Sequence, residues 1–441
     1  MKRLILTGHS SLERADLADV VIPFICFRFV WGPLPSPDEL ASYVAARSDK
    51  HAPGAHWSDY AGRWPGATGA RKDLGLVEFC SHCEAVELWF DPNPNDQLQL
   101  VWLLDYFSSY PEIVARLRLR LVDFDLNGAS GEELGRWQVP AVAVTRDVLE
   151  AASATWQAYR TTTPEACFDL LGRDLSALPL LRPALFDLLE ELPSGATGLG
   201  ATEMRMLELI ASGYERTNAL FHLRSLRQTR IFNEWEHGYL LDGLAHGPIP
   251  AVAGLDDELR TIGRENLGKR LPAYHRSRLS LTELGRAIVA HKEDFSRHNP
   301  IDRWWGGTRL TNDRLWRWNP VISAGKAGPF DVFPGDKKRN ERRVFGYWEV
   351  GALLDGLAHC PAPAVSGLDE GPFTLEMHED RNRHERYQQS KLELTAFGKA
   401  ILARTEDFSR CNPTHRWWGG TELTNDRLWR WDPATRTLIA P

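Results

Sequence analysis

The stretch VELWFDPNPNDQLQLVWLLDYF, which runs from Val86 to Phe107, holds the three parts of an α/β unit in direct succession. Val86–Phe90 is a short apolar run with the residue types of a strand. Asp91–Asp96 is rich in Pro, Asn and Asp, which predicts a turn. Gln97–Phe107 is strongly apolar and predicts a buried helix. A strand that leads through a polar turn into a buried helix indicates a parallel sheet covered by helices.

The segments on either side continue this alternation. Arg3–Thr7 (RLILT) predicts a first strand, and the turn Gly8-His9-Ser10-Ser11 follows it, with Ser10 or Ser11 capping a helix. Asp19–Trp31 predicts one long or two short buried strands, and Leu117–Phe124 predicts another. We therefore predict an α/β domain with a mostly parallel sheet over residues 1–144, followed by a helical connector over residues 145–198.

The rest of the chain contains an internal duplication. Arg230–Pro320 and Arg343–Pro433 align at an offset of 113 residues, without a gap and with 53 identities in 91 positions. A match of this length is a duplication rather than chance. Each copy predicts a helix, a two-stranded wing and a closing helix, and helices at Thr202–Ser212 and Thr217–Gln228 precede the first copy. This is the pattern of a winged helix.

The duplication sets the predicted domain boundaries in the second half of the chain. The first winged-helix-like unit covers residues 199–321, and the second covers residues 343–441. A segment with Gly, Pro and the basic run Lys337-Lys338-Arg339 separates them at residues 322–342, which indicates a linker.

Composition and charge exclude some classes of protein. The chain has 441 residues, of which 43% are hydrophobic and 25% charged, as in ordinary globular proteins. It has no run of 18 apolar residues, so no membrane association is expected, and without an export signal a cytoplasmic location is expected. Residues 1–200 hold 17 Lys and Arg against 27 Asp and Glu, a net charge of −10, and the remainder has a net charge of +3. This balance disfavours tight nonspecific binding to nucleic acid.

Three stretches of the N-terminal half resemble a bacterial family, the domain-of-unknown-function family 1835. They are ILTGHSSLERA near the start, the turn VWGPLP, and ELWFDPNPNDQLQLVWLL at Glu87–Leu104. The later LTELG, DRWWGG and LWRW motifs are also similar to the end of such proteins. The resemblance implies an α/β N-terminal domain and no established activity. Members often have Gly-Asp-Ser after the first strand, and His9 stands here at the position of that Asp.

The polar turns that follow the strands supply the candidate ligand-binding residues. In an open parallel sheet, ligands bind beyond the carboxyl ends of the strands. Free N–H groups at a helix start behind Ser10 suit a phosphate or carboxylate, whereas Asp91, Asn95 and Asp96 suit a ribose, a base edge or a metal. The alternative is that Ser11 and Asn95 only cap helices. The full candidate set is Gly8, His9, Ser10, Ser11, Asp91, Asn95 and Asp96.

No cofactor is indicated by the sequence, no metal ligand set is assigned, and no known catalytic motif occurs. Tryptophans recur at equivalent positions of the two copies, where they form either a stacking platform for a base or sugar, or hairpins whose indoles pack against the helices. Packing is the favoured interpretation. The residues are Trp304, Trp305, Trp316, Trp318, Trp417, Trp418, Trp429 and Trp431.

The helix that would enter a DNA groove, Asn233–His246, carries Glu234, Glu236 and Asp242 and no Lys or Arg. This favours a protein contact over DNA recognition. The sequence thus predicts a cytoplasmic bacterial protein that binds a small anionic ligand in its α/β domain and a macromolecular partner, most simply a protein, through its repeats. An enzyme acting on a nucleotide or phosphorylated metabolite and a DNA-binding regulator are the alternatives.

Overall fold

The computed structural model describes residues 3–14, 17–24, 27–60, 73–124, 126, 129–136, 139–217, 231–317, 347–368, 370–371, 373–374, 377, 380–402, 405–418, 421–428, 430–432 and 437–439. The chain forms two compact units. The first comprises Met1–Leu192, Thr229–Gly238 and Pro300–Trp316, and the second comprises Pro193–Gln228, Tyr239–Asn299 and Arg317–Pro441. This division differs from the domain boundaries drawn from the sequence, because the helices up to Leu192 belong with the α/β sheet.

The first unit is built on a five-stranded sheet with the order β2–β1–β3–β4–β5. The first four strands are parallel, and β5 pairs antiparallel with β4. The predicted α/β domain with a mostly parallel sheet is confirmed, whereas the antiparallel edge strand was not foreseen. The strands are β1 (Arg3–Thr7), β2 (Val20–Pro23), β3 (Ala85–Phe90), β4 (Leu117–Leu121) and β5 (Ala141–Ala143).

Helices cover this sheet. Helix α3 packs against β3 on one side and against α6 and α8 on the other, which explains why it is apolar around most of its circumference. The opposite face of the sheet packs a smaller cluster that includes Ile5, Trp89 and Leu134. The helices are α1 (Pro37–Val44), α2 (Leu76–Ser81), α3 (Pro94–Phe107), α4 (Pro111–Val114), α5 (Gly131–Arg136), α6 (Arg146–Tyr159), α7 (Glu165–Leu170) and α8 (Leu181–Glu190).

The turn before α3 is shorter than the sequence indicated. The helix begins at Pro94 rather than Gln97, because the side chain of Asn93 accepts the N–H of Asn95 and Pro94 supplies a φ already suited to the first helical position. Asn95 and Asp96 therefore lie in the first turn of the helix. The cap is Asn93, so the interpretation of Asn95 as a cap was wrong.

Two further segments near the site differ from expectation. Ser10–Arg14 is a five-residue 3-10 helix and not an α-helix. Among the described residues of Asp19–Trp31, only Val20–Pro23 form a strand. Phe24, Phe29 and Val30 beyond it are buried as loop side chains, with the ring centroid of Phe29 5.6 Å from that of Trp102. A short apolar run does not distinguish a strand from a buried loop.

The elements of the duplicated region follow the same order in both copies. The first copy has α10 (Glu234–Ala245), β6 (Val252–Ala253), α11 (Leu267–Arg276), β7 (Ser280–Leu281), α12 (Glu283–Val289), β8 (Asp302–Trp305) and β9 (Thr308–Thr311), preceded by α9 (Ala201–Ala211). The second has α13 (Tyr347–Ala358), β10 (Val365–Ser366), α14 (Arg381–Gln389), β11 (Glu393–Leu394), α15 (Ala396–Leu402), α16 (Phe408–Cys411), β12 (His415–Trp418), β13 (Thr421–Thr424), β14 (Arg430–Asp432) and β15 (Thr437–Ile439). Except for Thr217, the helix predicted at Thr217–Gln228 lies outside the described residues.

Equivalent residues make equivalent contacts in the two copies. A carboxylate oxygen of Asp242 accepts the backbone N–H of Arg260 at 2.9 Å, and one of Asp355 accepts that of Phe373 at 2.6 Å. The duplication therefore preserved the local backbone as well as the sequence. The same holds for the contacts Asp257–Arg270 and Glu370–Arg383, Asn299–Ile249 and Asn412–Ala362, and Thr282–Gly285 and Thr395–Gly398. Among the described residues, no helix has the length and apolar composition that a membrane span requires.

Candidate functional site at the carboxyl edge of the sheet

The candidate site lies where the strand order of the sheet reverses. Strand β1 lies between β2 and β3. From β1 the chain continues to β2 on one side, and then crosses to β3 and β4 on the other side. The turns that follow β1 and β3 diverge at such a point and leave a crevice at the carboxyl edge. Gly8 and His9 follow β1, and Asp91 follows β3, so these residues lie at the position where open α/β sheets bind their ligands.

His9, Asp91 and Asp96 form a buried cluster at this edge. The Nε2 atom of His9 is 3.0 Å from Oδ2 of Asp91 and 3.0 Å from Oδ2 of Asp96. The side chains of the two aspartates are 3% and 6% exposed, and that of His9 is 15% exposed. The imidazole is therefore the member of the cluster that faces solvent.

Backbone groups fix the two carboxylates. Oδ1 of Asp91 accepts the N–H of Asn93 at 2.8 Å, and its Oδ2 accepts the N–H of Leu126 at 3.3 Å. Oδ2 of Asp96 accepts the N–H of Asp91 at 3.4 Å. Because the donors belong to turns after β3 and β4 and not to mobile side chains, the sheet itself orients the carboxylates.

Gly8 allows Asp96 to approach the first turn. A Cβ atom at Gly8 would stand 2.4 Å and 2.5 Å from the two carboxylate oxygens of Asp96, well inside van der Waals contact. Only glycine fits at this position while Asp96 keeps its place. The glycine is needed here for a close approach rather than for an unusual backbone angle.

The electrostatics of the cluster are dominated by the two acids. Burial lowers the pKa of His9, but the neighbouring carboxylates of Asp96 and Asp91 raise it more, to about 10. Burial raises the pKa of Asp96, and the neighbouring imidazole partly offsets this effect.

Buried amide oxygens without partners lie on the first turns of α3. The side-chain amides of Asn95 and Gln99 both donate to the carbonyl oxygen of Phe27, at 3.2 and 3.0 Å. Oδ1 of Asn95 and Oε1 of Gln99 are left buried with no hydrogen-bond partner among the described residues, as is the hydroxyl of Ser11. A buried acceptor without a donor costs about 1–3 kcal/mol, so these atoms are suited to a hydroxyl or N–H of a bound molecule.

The structure brings together Gly8, His9, Asp91 and Asp96 from the set chosen on the sequence. Asn95, which directly precedes Asp96 in the chain, is buried, and its side-chain amide donates to the carbonyl of Phe27. Ser10 is exposed. The contributions of Asn93, Gln99 and Leu126 were missed, because they depend on where α3 begins and on how the turn after β4 passes the site. The pair Asn93-Pro94 is a helix-start signal, whereas no signal in the sequence marked Gln99 or Leu126.

The donor set of the cluster is one that metal ions use. Imidazole nitrogen and carboxylate oxygen both bind divalent cations, and one such atom from each of the three residues lies within 4.8 Å of the other two. The sequence indicated a metal as one possible ligand of Asp91, Asn95 and Asp96 but no ligand set, because His9 lies far from the aspartates in the chain and only the strand order brings them together.

The hairpin β8–β9 of the first copy packs within the first unit. The indole of Trp305 is buried, its ring centroid is 5.1 Å from that of Tyr159, and its Nε1 donates to the carbonyl of Leu188 at 2.6 Å. The N–H of Gly307 donates to the carbonyl of Tyr159 at 2.9 Å. Trp305 is therefore not accessible to a ligand, whereas Trp304 is 37% exposed.

The other tryptophans of the proposed stacking platform are only partly described. Trp316 is half-buried. Trp318 and Trp429 lie outside the described residues, and for Trp417, Trp418 and Trp431 only the backbone is described. Whether the second set of indoles has the environments of the first stays a prediction.

The acids of the supposed recognition helix are mostly internal. Glu236 is 3% exposed and pairs with Arg28, and Asp242 is 3% exposed and accepts from the backbone of Arg260. Only Glu234 places its charge at the surface of α10. Electrostatic repulsion of DNA by this helix is thus weaker than the sequence indicated.

No family model and no curated protein matches this chain. The resemblance to the domain-of-unknown-function family 1835 stays a prediction.

Proposed function

We propose that this chain is a cytoplasmic ligand-binding protein of the family 1835 type, whose α/β domain binds a small anionic ligand at the carboxyl edge between β1 and β3. The observation that carries the proposal is the convergence of His9, Asp91 and Asp96 at the reversal of the strand order. Two buried carboxylates in contact with a partly buried imidazole are costly to desolvate, and such clusters concentrate at functional sites.

Buried acceptors on the helix that carries Asp96 suit a ligand with hydroxyl groups as well as an anionic group. The unpartnered oxygens of Asn95 and Gln99 accept hydrogen bonds, which the hydroxyl or N–H groups of a sugar or base donate. A sugar or nucleoside that carries a phosphate supplies both chemistries. We therefore place phosphorylated sugars and nucleotides first among the ligands.

The test is direct binding with a defined set of compounds. Full-length protein is examined by native mass spectrometry for a compound that co-purifies, and by calorimetry with ribose 5-phosphate, nucleoside monophosphates and unphosphorylated ribose, each with and without added Mn²⁺. We expect the phosphorylated members to bind and ribose to bind far more weakly. If no phosphorylated or carboxylated compound binds in either condition, the proposal is wrong.

The winged-helix-like repeats are proposed to bind a macromolecular partner, a protein rather than DNA. An apolar strip on α13 supports this. Leu353 and Leu357, one helical turn apart, are 37% and 36% exposed. Their equivalents in the first copy, Leu240 and Leu244, are 5% and 0% exposed. The second copy therefore leaves open a face that the first copy covers, and exposed leucines at this spacing suit a protein contact.

A second candidate function is an enzyme acting on a nucleotide or phosphorylated metabolite. Burial raises the pKa of Asp96, and the imidazole of His9 lies against this carboxylate. A carboxyl group and an imidazole in contact are suited to proton transfer. Release of phosphate from the same set of compounds, abolished by His9→Gln, would establish this function in place of binding alone.

A further inference from the structure

We propose that His9, Asp91 and Asp96 bind a divalent metal ion, and that the anionic group of the ligand binds through the coordination positions that these three residues leave open. The role of the ion in ligand binding rests on the proposed function, whereas the metal site itself does not.

The distances match the first shell of a metal ion. Nε2 of His9 lies 3.0 Å from an oxygen of each aspartate. Nitrogen and oxygen ligands of small divalent ions stand about 2.1 Å from the metal, so neighbouring ligands in an octahedral shell are about 3.0 Å apart. Two of the three ligand-to-ligand distances therefore already match those that a bound ion imposes.

The direction of the imidazole supports the same reading. Nε2 of His9 is a buried atom that makes no hydrogen bond of acceptable geometry, although two carboxylate oxygens are within 3.0 Å. Neither oxygen lies along the axis of the ring nitrogen. In an octahedral shell that axis points at the ion and lies about 45° from each neighbouring ligand. A metal ion between the three side chains therefore explains both the short distances and the poor hydrogen-bond alignment of Nε2.

The surroundings fix this arrangement in advance. Backbone N–H groups of Asn93 and Leu126 orient Asp91, and the missing side chain of Gly8 lets Asp96 approach. Outer hydrogen bonds of this kind orient metal ligands and raise affinity. Backbone groups thus help to hold the carboxylates in place together with His9.

A metal ion also removes the electrostatic obstacle to an anionic ligand. Two buried carboxylates disfavour a phosphate nearby. A divalent ion bound by two carboxylates and a neutral imidazole gives a site of zero formal charge. Three protein ligands leave positions of the ion free for oxygens of water or of the ligand, as in metal sites that bind substrates.

The experiment uses full-length protein freed of metal by chelation and desalting, with Mn²⁺ as the probe. Electron paramagnetic resonance counts bound Mn²⁺, and pulsed measurements report whether a ¹⁴N nucleus is directly coordinated. We expect one tight Mn²⁺ per chain with an imidazole nitrogen in its shell. His9→Gln is expected to remove the ¹⁴N coupling, and His9→Gln and Asp96→Asn are each expected to weaken Mn²⁺ binding at least about tenfold.

Asp105→Asn is the matched control, because Asp105 lies on the same helix and accepts a hydrogen bond from Ser153 that an amide oxygen can also accept. It should leave Mn²⁺ binding unchanged. The ¹⁴N signal of the unmodified protein requires no variant, so it remains informative even if a substitution prevents folding. Absence of stoichiometric Mn²⁺, or a bound Mn²⁺ with no nitrogen ligand, would overturn the metal site.

Calorimetry with ribose 5-phosphate then separates the two proposals. Binding that appears only with Mn²⁺ and is lost in Asp96→Asn supports the ion as the bridge to the ligand. Binding that is equally strong without Mn²⁺ overturns this bridging role and leaves the proposed function standing. One Mn²⁺ per chain with no binding of any anionic compound establishes the metal site and refutes the anionic ligand.

Discussion

Asp96 lies against the backbone of Gly8 so closely that a Cβ atom at Gly8 would stand 2.4 Å from its Oδ1. This contact joins the turn after β1 to the first turn of α3. The contact is possible only because Gly8 has no side chain, and it fixes the position of the Asp96 carboxylate.

Gly8→Ala should displace Asp96 and disrupt the cluster while the sheet still forms. We expect a loss of about 1–3 kcal/mol in the free energy of unfolding, as for other overpacked sites, together with weaker ligand and Mn²⁺ binding. Urea denaturation and calorimetry measure the two effects. Gly172→Ala is the control, because a Cβ there meets only an ordinary contact at 3.5 Å. Equal behaviour of the two variants would contradict the close approach.

The ion pair between Arg28 and Glu236 should contribute strongly to the stability of the first unit. Two guanidinium nitrogens reach the two oxygens of Glu236 at 2.9 and 2.7 Å, and Glu236 is 3% exposed. Glu236→Gln leaves the guanidinium of Arg28 without its charge partner and should lower the free energy of unfolding by about 2–3 kcal/mol. The loss is smaller than for a fully buried pair, because water reaches the arginine side.

Thermal and urea unfolding of Glu236→Gln are best compared with Asp302→Asn. Asp302 forms a similar bidentate pair with Arg309, but both side chains are more than half exposed. An exposed pair contributes about 0–1 kcal/mol, so Asp302→Asn should be close to neutral. A similar loss in both variants would show that burial of Glu236 is not the cause.

His237 should make the protein less stable in mild acid. Burial lowers its pKa, and the charge of Arg28 lowers it further, to about 4, whereas an unfolded histidine titrates near 6.5. Between these values the unfolded chain binds a proton that the folded protein does not. The contribution of His237 is therefore complete above about pH 6.5, and up to about 3 kcal/mol is lost as the pH falls toward 4.

The check is urea denaturation at pH 7.5, 6 and 5 for the unmodified protein and for His237→Val. Valine is the natural choice, because Val350 occupies the equivalent position of the second copy. The difference in unfolding free energy between the two proteins should change steadily with falling pH in favour of the variant. A difference that stays constant with pH would refute the assignment.

The sequence was sufficient for the sheet and for part of the site. The apolar runs at Arg3–Thr7 and Ala85–Phe90 and the polar turns behind them follow from periodicity and turn chemistry. Which turns meet depends on strand order, which a single sequence does not specify. The pairing of His9 with both aspartates therefore appeared only in the structure.

The start of α3 and the burial of charged side chains on α10 were predicted less well from the sequence. α3 begins three residues early because the Asn93 cap and Pro94 act together, and the runs of Pro and Asn in the turn masked this signal. The charges on α10 were assigned to the surface, yet Glu236 and Asp242 are internal. A charged residue that finds a buried partner far along the chain cannot be recognised from helical spacing alone.

The two copies should respond differently to loss of equivalent leucines. Leu240 is buried and Leu353 is exposed. Leu240→Ala should cost about 2–4 kcal/mol, whereas Leu353→Ala should change stability by less than about 0.5 kcal/mol. Urea denaturation of both variants measures this. Equal losses of unfolding free energy would mean that the strip on α13 is covered in solution, either by another part of the protein or by a second copy. Sedimentation velocity would distinguish these two cases.

Duplex DNA should bind weakly, no tighter than about micromolar at physiological salt. Fluorescence anisotropy with random duplex across a salt series is the measurement. The basic residues that could change this outcome, Arg224, Arg227, Arg230, Lys337, Lys338 and Arg339, lie outside the described residues. Submicromolar binding with a steep salt dependence, lost when these six are replaced by Ala, would favour a DNA-binding regulator instead.

The docking of the first WWGGT hairpin has a consequence for synthesis of the chain. The N–H of Gly307 donates to the carbonyl of Tyr159 at the end of α6, and this position binds one hairpin at a time. The second copy carries the same WWGGT sequence, from Trp417 to Thr421, and is therefore a competitor for the same place. Because the ribosome completes the first hairpin earlier and N-terminal parts fold first, the order of translation favours the correct occupant. Refolding from denaturant removes this advantage, and the full chain should then regain its native state less efficiently than a chain ending before the second copy.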